Sequence, residues 1–283
     1  MITIELMGGL GNQLFEIFAL MGYSMDNKTS FYIEDKEIIH GARKIYYWDN
    51  FLSNIGKFIK PTVKLGERAI VREKGFNYKS LPKISNKNQV VKMFGYFQSY
   101  KYFEKHYDTI IGFIKLEEKR APYNNNYDYQ NTISLHFRVG DYKALQGRHP
   151  LLLPDYYIKA LQHISTETGR TNWQVLYFCE DEDIKYVGKQ IAVIKNELPE
   201  LSFIKIESTY SDWQQMLIMS LCNHNIIANS SFSWWGAYFN SRENIVCYPK
   251  TWFGPKQGYT NMDDMFPLNW SRIDAKKKKM KKI

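Results

Sequence analysis

The chain has 283 residues, 44% of them hydrophobic, 16% aromatic and 24% charged, which is enough material for two ordinary domains and too apolar for a disordered chain. No apolar run approaches the length of a membrane-crossing helix, and Cys179, Cys222 and Cys247 sit apart in apolar segments, which excludes a disulfide framework or paired metal ligands. Of the +9 formal charge, six positives belong to the tail Lys276-Lys-Lys-Lys-Met-Lys-Lys282, so the body lacks the basic stripe of a nucleic-acid binder.

The N-terminus alternates at once as a strand (Ile2, Ile4, Leu6) in place of a signal sequence, and the buried thiols suit a reducing compartment, so a cytoplasmic protein is expected. A glycine-rich turn follows at Gly8, Gly9 and Gly11, after which Leu14, Phe15, Phe18 and Ala19 recur at helical spacing. Residues 31–87 mix aromatics and lysines and read as irregular α/β structure. Phe94–Phe97 reads as a short strand. The stretch Ala121-Pro-Tyr-Asn-Asn-Asn-Tyr-Asp128 clusters turn formers with little to bury, which places a domain boundary there. The expected division is a first α/β domain over 1–127, a second over 128–273, and a lysine-rich tail over 274–283. The tail reads as a solvated end, with a weak contact to an anionic membrane surface as the alternative.

Past the boundary, residues 131–139 alternate, with Ile133, Leu135, Phe137 and Val139 on one face and Ser134, His136 and Arg138 on the other. A helix is expected over Asp155–Ser165, a strand over Val175–Cys179, a short helix after Asp181, and a strand at Phe203–Ile206. Ser211 and Gln214 form a capping box for a helix with the apolar stripe Trp213, Met216, Leu217 and Leu221. Ile226, Ile227 and Ala228 form a buried strand that runs straight into the hydroxyls of Ser230, Ser231 and Ser233 and then a helix. The last strand, Ile245–Tyr248, is expected to stop at Pro249. Repeated βα units make a parallel sheet with helices on both faces, and ligands bind beyond the carboxyl ends of its strands. Three strand ends therefore meet at one crevice: His136, Arg138, Gly140 and Asp141; Glu180 and Asp181; Asn229, Ser230 and Ser231.

The chemistry of those ends suits a nucleotide. A serine-capped helix N-terminus offers unpaired N–H groups to an anion, although an ordinary capped helix has the same pattern. Arg138 fits bidentate phosphate binding, and Glu180 and Asp181 fit base or ribose donors. Asp141 orients Arg138, holds a sugar hydroxyl or acts as a base; His149 is a second acid/base candidate, or else a surface histidine. Asp181 and Asp183 have the spacing of a metal pair, but acidic residues at a helix start complement its dipole, and no metal is expected. Near the N-terminus, Gly9-Leu-Gly11 fails the dinucleotide fingerprint because Leu14 stands at the third glycine position. Its glycines make a tight turn or let a ligand approach the backbone, with Asn12 and Gln13 as amide donors.

Three segments, Gly8-Gly-Leu-Gly-Asn-Gln-Leu-Phe15, His136-Phe-Arg-Val-Gly-Asp-Tyr142 and the long stretch from His224 to Asn240, resemble in order and spacing the α-1,2-fucosyltransferases of glycosyltransferase family 11. The resemblance runs from Leu6 to about Ile273. It implies a GT-B type α/β fold, with two Rossmann-like domains facing across a cleft and the C-terminal one binding the nucleotide sugar. It further implies transfer of L-fucose from GDP-β-L-fucose to the 2-hydroxyl of a galactoside, with inversion and without a metal or other cofactor. Under it, Arg138 holds the donor pyrophosphate with Ser230, Ser231 and the helix N-terminus, with Asn229 and Ser233 alongside. His136 and Asp141 line the same pocket, Glu180 and Asp181 serve the nucleotide, and Asn12, Gln13, Gly9 and Gly11 face it from the other domain. Val139 stands where the family usually has a second Arg, and Gln215 where it commonly has an Asp. A different nucleotide sugar is therefore the nearest alternative, and a glycan-binding protein without turnover is a further one.

Overall fold

The computed structural model describes residues 1–35, 47–61, 68–86, 89–258 and 260–275. They form two units, one from Met1 to Pro122 together with Thr260–Leu268, the other from Tyr123 onward apart from that segment.

The first unit contains β1 (Ile2–Ile4), α1 (Leu10–Asp26), β2 (Phe31–Asp35), β3 (Ile59–Pro61), β4 (Arg68–Arg72), β5 (Val90–Phe94), α2 (Tyr107–Ile114) and α3 (Leu116–Arg120). Its sheet is parallel throughout, in the order β3-β2-β1-β5-β4. As the middle strand, β1 is covered on both faces, and even Thr3 is fully buried. The helical spacing read after the glycine turn becomes α1, whose Leu14, Phe15, Phe18 and Ala19 are all at 0% exposure. The strand expected at Phe94–Phe97 lies earlier. Val90–Phe94 pairs with β1 and β4, and the chain then leaves extended geometry through Gly95 (φ +145°) and Phe97 (φ +51°), whose N–H donates to Glu73 Oε2.

The second unit contains β6 (Thr132–His136), α4 (Tyr142–Leu145), α5 (Pro154–Thr168), β7 (Gln174–Phe178), α6 (Ile184–Glu197), β8 (Ser202–Lys205), α7 (Asp212–Met219), β9 (His224–Ile226), α8 (Ser231–Tyr238), β10 (Val246–Pro249) and β11 (Ser271–Ile273). Its six strands are again parallel, in the order β11-β10-β9-β6-β7-β8. The alternation read over 131–139 marks a strand with two buried faces, because β6 is interior: Ser134 and His136 are buried like Ile133 and Leu135. The capping box of α7 forms as read, but the helix ends at Met219 and leaves Leu221 in the following turn. Pro249 does not stop β10; it is its last residue, paired with Ile273. The next N–H, of Lys250, donates to Ile273 O in β11, so the N–H that Pro249 lacks would have faced β9, which has already ended.

A polar hub locks this sheet. The buried Asn225 donates from Nδ2 to Ser134 Oγ (2.6 Å) and Met219 O (2.8 Å), and its Oδ1 accepts from Asn240 and Asn244, each at 2.9 Å.

The boundary expected at 127/128 falls at Pro122/Tyr123. Polar neighbours masked two anchoring tyrosines: Tyr123 accepts from Gln214 Nε2 (2.7 Å), its carbonyl accepts from Tyr129 Oη (2.8 Å), and its ring meets Tyr210 edge-on. Nor does the second domain run unbroken to 273. Asp264 ties Thr260–Leu268 to the first unit, accepting from Tyr78 N, Lys101 Nζ and, at its carbonyl, Ser99 Oγ. Asp274, read as the start of the tail, is held by Lys250 (2.5 Å) and Lys159 (2.8 Å); the lysines from 276 onward lie outside the described residues. Among the described residues no helix is long and apolar enough to cross a membrane.

Candidate active site

The carboxyl ends of β6, β7 and β9 carry the expected residues, and the register decides which of them meet. Arg138 follows β6, and its Nη1 donates to Glu180 Oε1 (2.6 Å) just past β7 while its Nη2 donates to Asp141. The guanidinium also lies over the ring of Tyr142, 5.1 Å from its centroid. Glu180 therefore holds the arginine plane, a role that the sequence reading had not given it. Asp181 turns away from this cluster. Its carboxylate accepts from Lys205 Nζ (2.8 Å) and Ser208 Oγ (2.7 Å), which hold its pKa below the usual range.

Tyr142 links Arg138 to the third strand end. Its hydroxyl donates to Asn229 O (3.1 Å), and its ring stacks on His149 at 4.8 Å between centroids. Burial lowers the His149 pKa, with Phe253 flanking the ring on another side. Asn229 is structural on its amide side, donating to Pro150 O and Trp252 O at 3.0 Å each. Of the three serines, Ser230 is the N-cap of α8 and accepts from Phe232 N, Ser233 donates back to Ser230 O, and Ser231 opens the helix. Tyr142 was the residue missed in sequence; its place in the motif after Asp141 was the available signal.

His136 is buried against the ring of Phe232, 5.5 Å between centroids, and its Nδ1 finds no hydrogen-bond partner. Burial, reinforced by the Arg138 charge, pulls its pKa from 6.5 down to about 3. An unfolded histidine binds a proton below 6.5 that the folded one refuses, so this stability is present above pH 6.5 and is lost as pH falls from there toward 3. His136→Gln should flatten the acid limb of a melting-temperature profile; an unchanged slope between pH 4 and 6.5 would refute the assignment.

In the first unit the glycine-rich turn is shaped by its own contacts. Gly8 has φ +71°, Gly9 is the N-cap of α1, and Gly11 lies buried in its first turn. Asn12 Oδ1 accepts from Gln98 (2.8 Å), and the buried Gln13 donates to Gly8 O (3.0 Å). Glu16 Oε2 accepts from Met7 N, and burial raises its pKa well above the usual carboxylate range. Among the described residues, no group of three or more His, Cys, Asp or Glu is placed to hold a metal ion.

Two parallel-sheet α/β units, the second presenting an Arg and a capped helix N-terminus at its strand ends, make up a fold of the GT-B type. The structure of an Arabidopsis thaliana FUT1 mutant in complex with GDP has the same fold, with a TM-score of 0.51 at 10% identity over 94% of this chain and 74% of that one. Residues 61–274 match the profile of Glycosyl transferase family 11. Relatives that align along nearly the whole chain include an Escherichia coli alpha-1,2-colitosyltransferase, 27% identical over 96% of this chain and 99% of its own. Another is a Caenorhabditis elegans galactoside 2-alpha-L-fucosyltransferase, 23% identical over 96% and 79%. The chain belongs to glycosyltransferase family 11.

Proposed function

We propose that the protein transfers L-fucose from GDP-β-L-fucose to the 2-hydroxyl of a galactoside, inverting the anomeric centre to give an α-1,2 linkage. The observation that carries this reading is Arg138, braced by Glu180 and Asp141 and tied through Tyr142 to the residue before the α8 cap, in a family 11 chain. The acceptor oxygen bonds to the anomeric carbon as the bond from that carbon to the diphosphate oxygen breaks. The electron pair leaves with GDP. Negative charge therefore grows on the diphosphate, where a fixed guanidinium and a helix N-terminus stabilise it without a metal. The acceptor proton goes to His149. Burial lowers the pKa of that imidazole and so favours its neutral, proton-accepting form, whereas the alternative base, Asp141, is engaged by Arg138. His149→Asn should cost about a hundredfold in turnover and remove the acidic limb of the pH–rate profile; a variant that keeps the limb would return the role to Asp141.

A second donor is favoured by the colitosyltransferase relative, since colitose is fucose without its 3-hydroxyl. Val139, standing where a second Arg is usual, keeps this reading in view. A screen of nucleotide sugars against galactose-terminated acceptors, with the product linkage read by NMR, separates the two. GDP-fucose should be the better donor, GDP a competitive inhibitor, and activity should persist in excess EDTA. Binding of UDP in place of GDP, measured by calorimetry, would overturn the donor assignment. Loss of turnover on chelation, restored by Mn²⁺, would overturn metal independence.

A further inference from the structure

Asp183 ends a 3-10 turn, Asp181–Asp183, that runs straight into α6. Its backbone is already helical, and its side chain makes no capping hydrogen bond. Its carboxylate, 1% exposed, instead reaches the neighbouring loop, accepting from Gly140 N (2.7 Å) and Lys143 Nζ (2.5 Å). At the other end of that bond Gly140 has φ +26°, a backbone angle that favours glycine, and a Cβ there would lie 2.8 Å from Glu180 Oε2, on the carboxylate that grips Arg138.

We infer that Asp183 is a positioning residue: it fixes the Arg138–Lys143 turn through the Gly140 N–H and thereby the aim of the Arg138 guanidinium. The inference rests on the proposed role of Arg138 at the departing diphosphate. Asp183 touches no substrate and acts through the arginine. Its loss frees the Gly140 corner of the turn, whose flanks stay held by Val139 in the core and by the Tyr142 hydroxyl on Asn229 O, so the fold survives while the aim of the arginine loosens. A mis-aimed guanidinium still meets the ground-state diphosphate but fits the transition state poorly, so turnover suffers more than donor binding.

The test is a double-mutant cycle of Asp183→Ala and Arg138→Ala in the full chain, with kcat and donor KM measured on protein whose folded fraction is fixed by circular dichroism. Asp183→Ala should lower kcat about tenfold to a hundredfold with donor KM changed less than about threefold. In the Arg138→Ala background it should cost almost nothing further, because the group it aims is gone. Asp183→Asn, which keeps an acceptor for Gly140, should recover part of the loss, and it runs the same cycle if the alanine variant does not fold. Losses that multiply in the double variant, or full turnover of folded Asp183→Ala beside an impaired Arg138→Ala, overturn the inference alone. Full turnover of Arg138→Ala overturns the functional reading and this inference with it.

Discussion

Arg138→Ala is expected to lower turnover about a hundredfold or more, roughly 2.7 kcal/mol of transition-state stabilisation, while leaving the melting temperature close to that of the parent. The expectation follows from where its partners sit. Glu180 and Asp141 are 43% and 58% exposed, so removing the arginine strands no charge in the interior and the fold keeps its core. Arg138→Lys should recover only part of the rate, because an ammonium keeps the charge but loses the planar fork that engages two carboxylates at once. Val139 lies next in sequence and behaves oppositely. It is 3% exposed and packs in the core with Leu135, Phe137 and Tyr157, so Val139→Ala should cost about 2 kcal/mol of stability and leave donor affinity of the folded fraction unchanged. Single-turnover rates and melting curves for both variants decide the matter; a stable, inactive Val139→Ala beside an active Arg138→Ala would overturn the assignment.

Asn225→Ala should be among the most destabilising single changes in the second unit, costing about 3 kcal/mol or more. Four hydrogen bonds converge on this buried amide from β6, the end of α7, and the segment after α8. Truncation leaves Ser134, Met219 O, Asn240 and Asn244 to find other partners in a place that water reaches poorly. Asn225→Asp should also be costly, since it keeps the acceptor side but cannot donate to Ser134 Oγ and Met219 O. Denaturant unfolding measures both; a loss under about 1 kcal/mol for the alanine variant would show that the hub relaxes without penalty.

Particular residues show what was legible in the chain. The βα alternation past Thr132, the capping box at Ser211 and the serine-capped helix after Asn229 were all readable, because periodicity and capping depend on residues within four or five positions of each other. Their placement at carboxyl ends of parallel strands followed from the alternation itself. The weak spots have physical causes too. Among the described residues between Phe31 and Lys87 the strands are three to five residues long, and β3 and β4 carry lysine or arginine, so no period repeats often enough to stand out; residues 36–46 and 62–67 of that stretch lie outside the described residues. Ser134 and His136 looked like a polar face because their neighbours alternate with them; only the helices over both faces of β6 make that face interior. Thr260–Leu268 carries no local mark of belonging to the first unit, since its attachment runs through Asp264 to residues more than 160 positions away.

By itself, then, the sequence determined the two α/β units, the parallel order of elements in the second, and which residues stand at its strand ends, all consequences of short-range pattern. Tertiary structure decided which of those residues act together. Glu180, Asp181 and Asp183 are near neighbours in the chain, yet they serve Arg138, Lys205 and Gly140 respectively. The register of β6 against β7 chooses among them: His136 lies opposite Phe178, so two residues further along each strand Arg138 comes level with Glu180. A slip of one residue would have set it against the thiol of Cys179 and turned the arginine's strand over. That register is fixed by buried pairs such as Ile133 with Val175, and no local signal in either strand contains it.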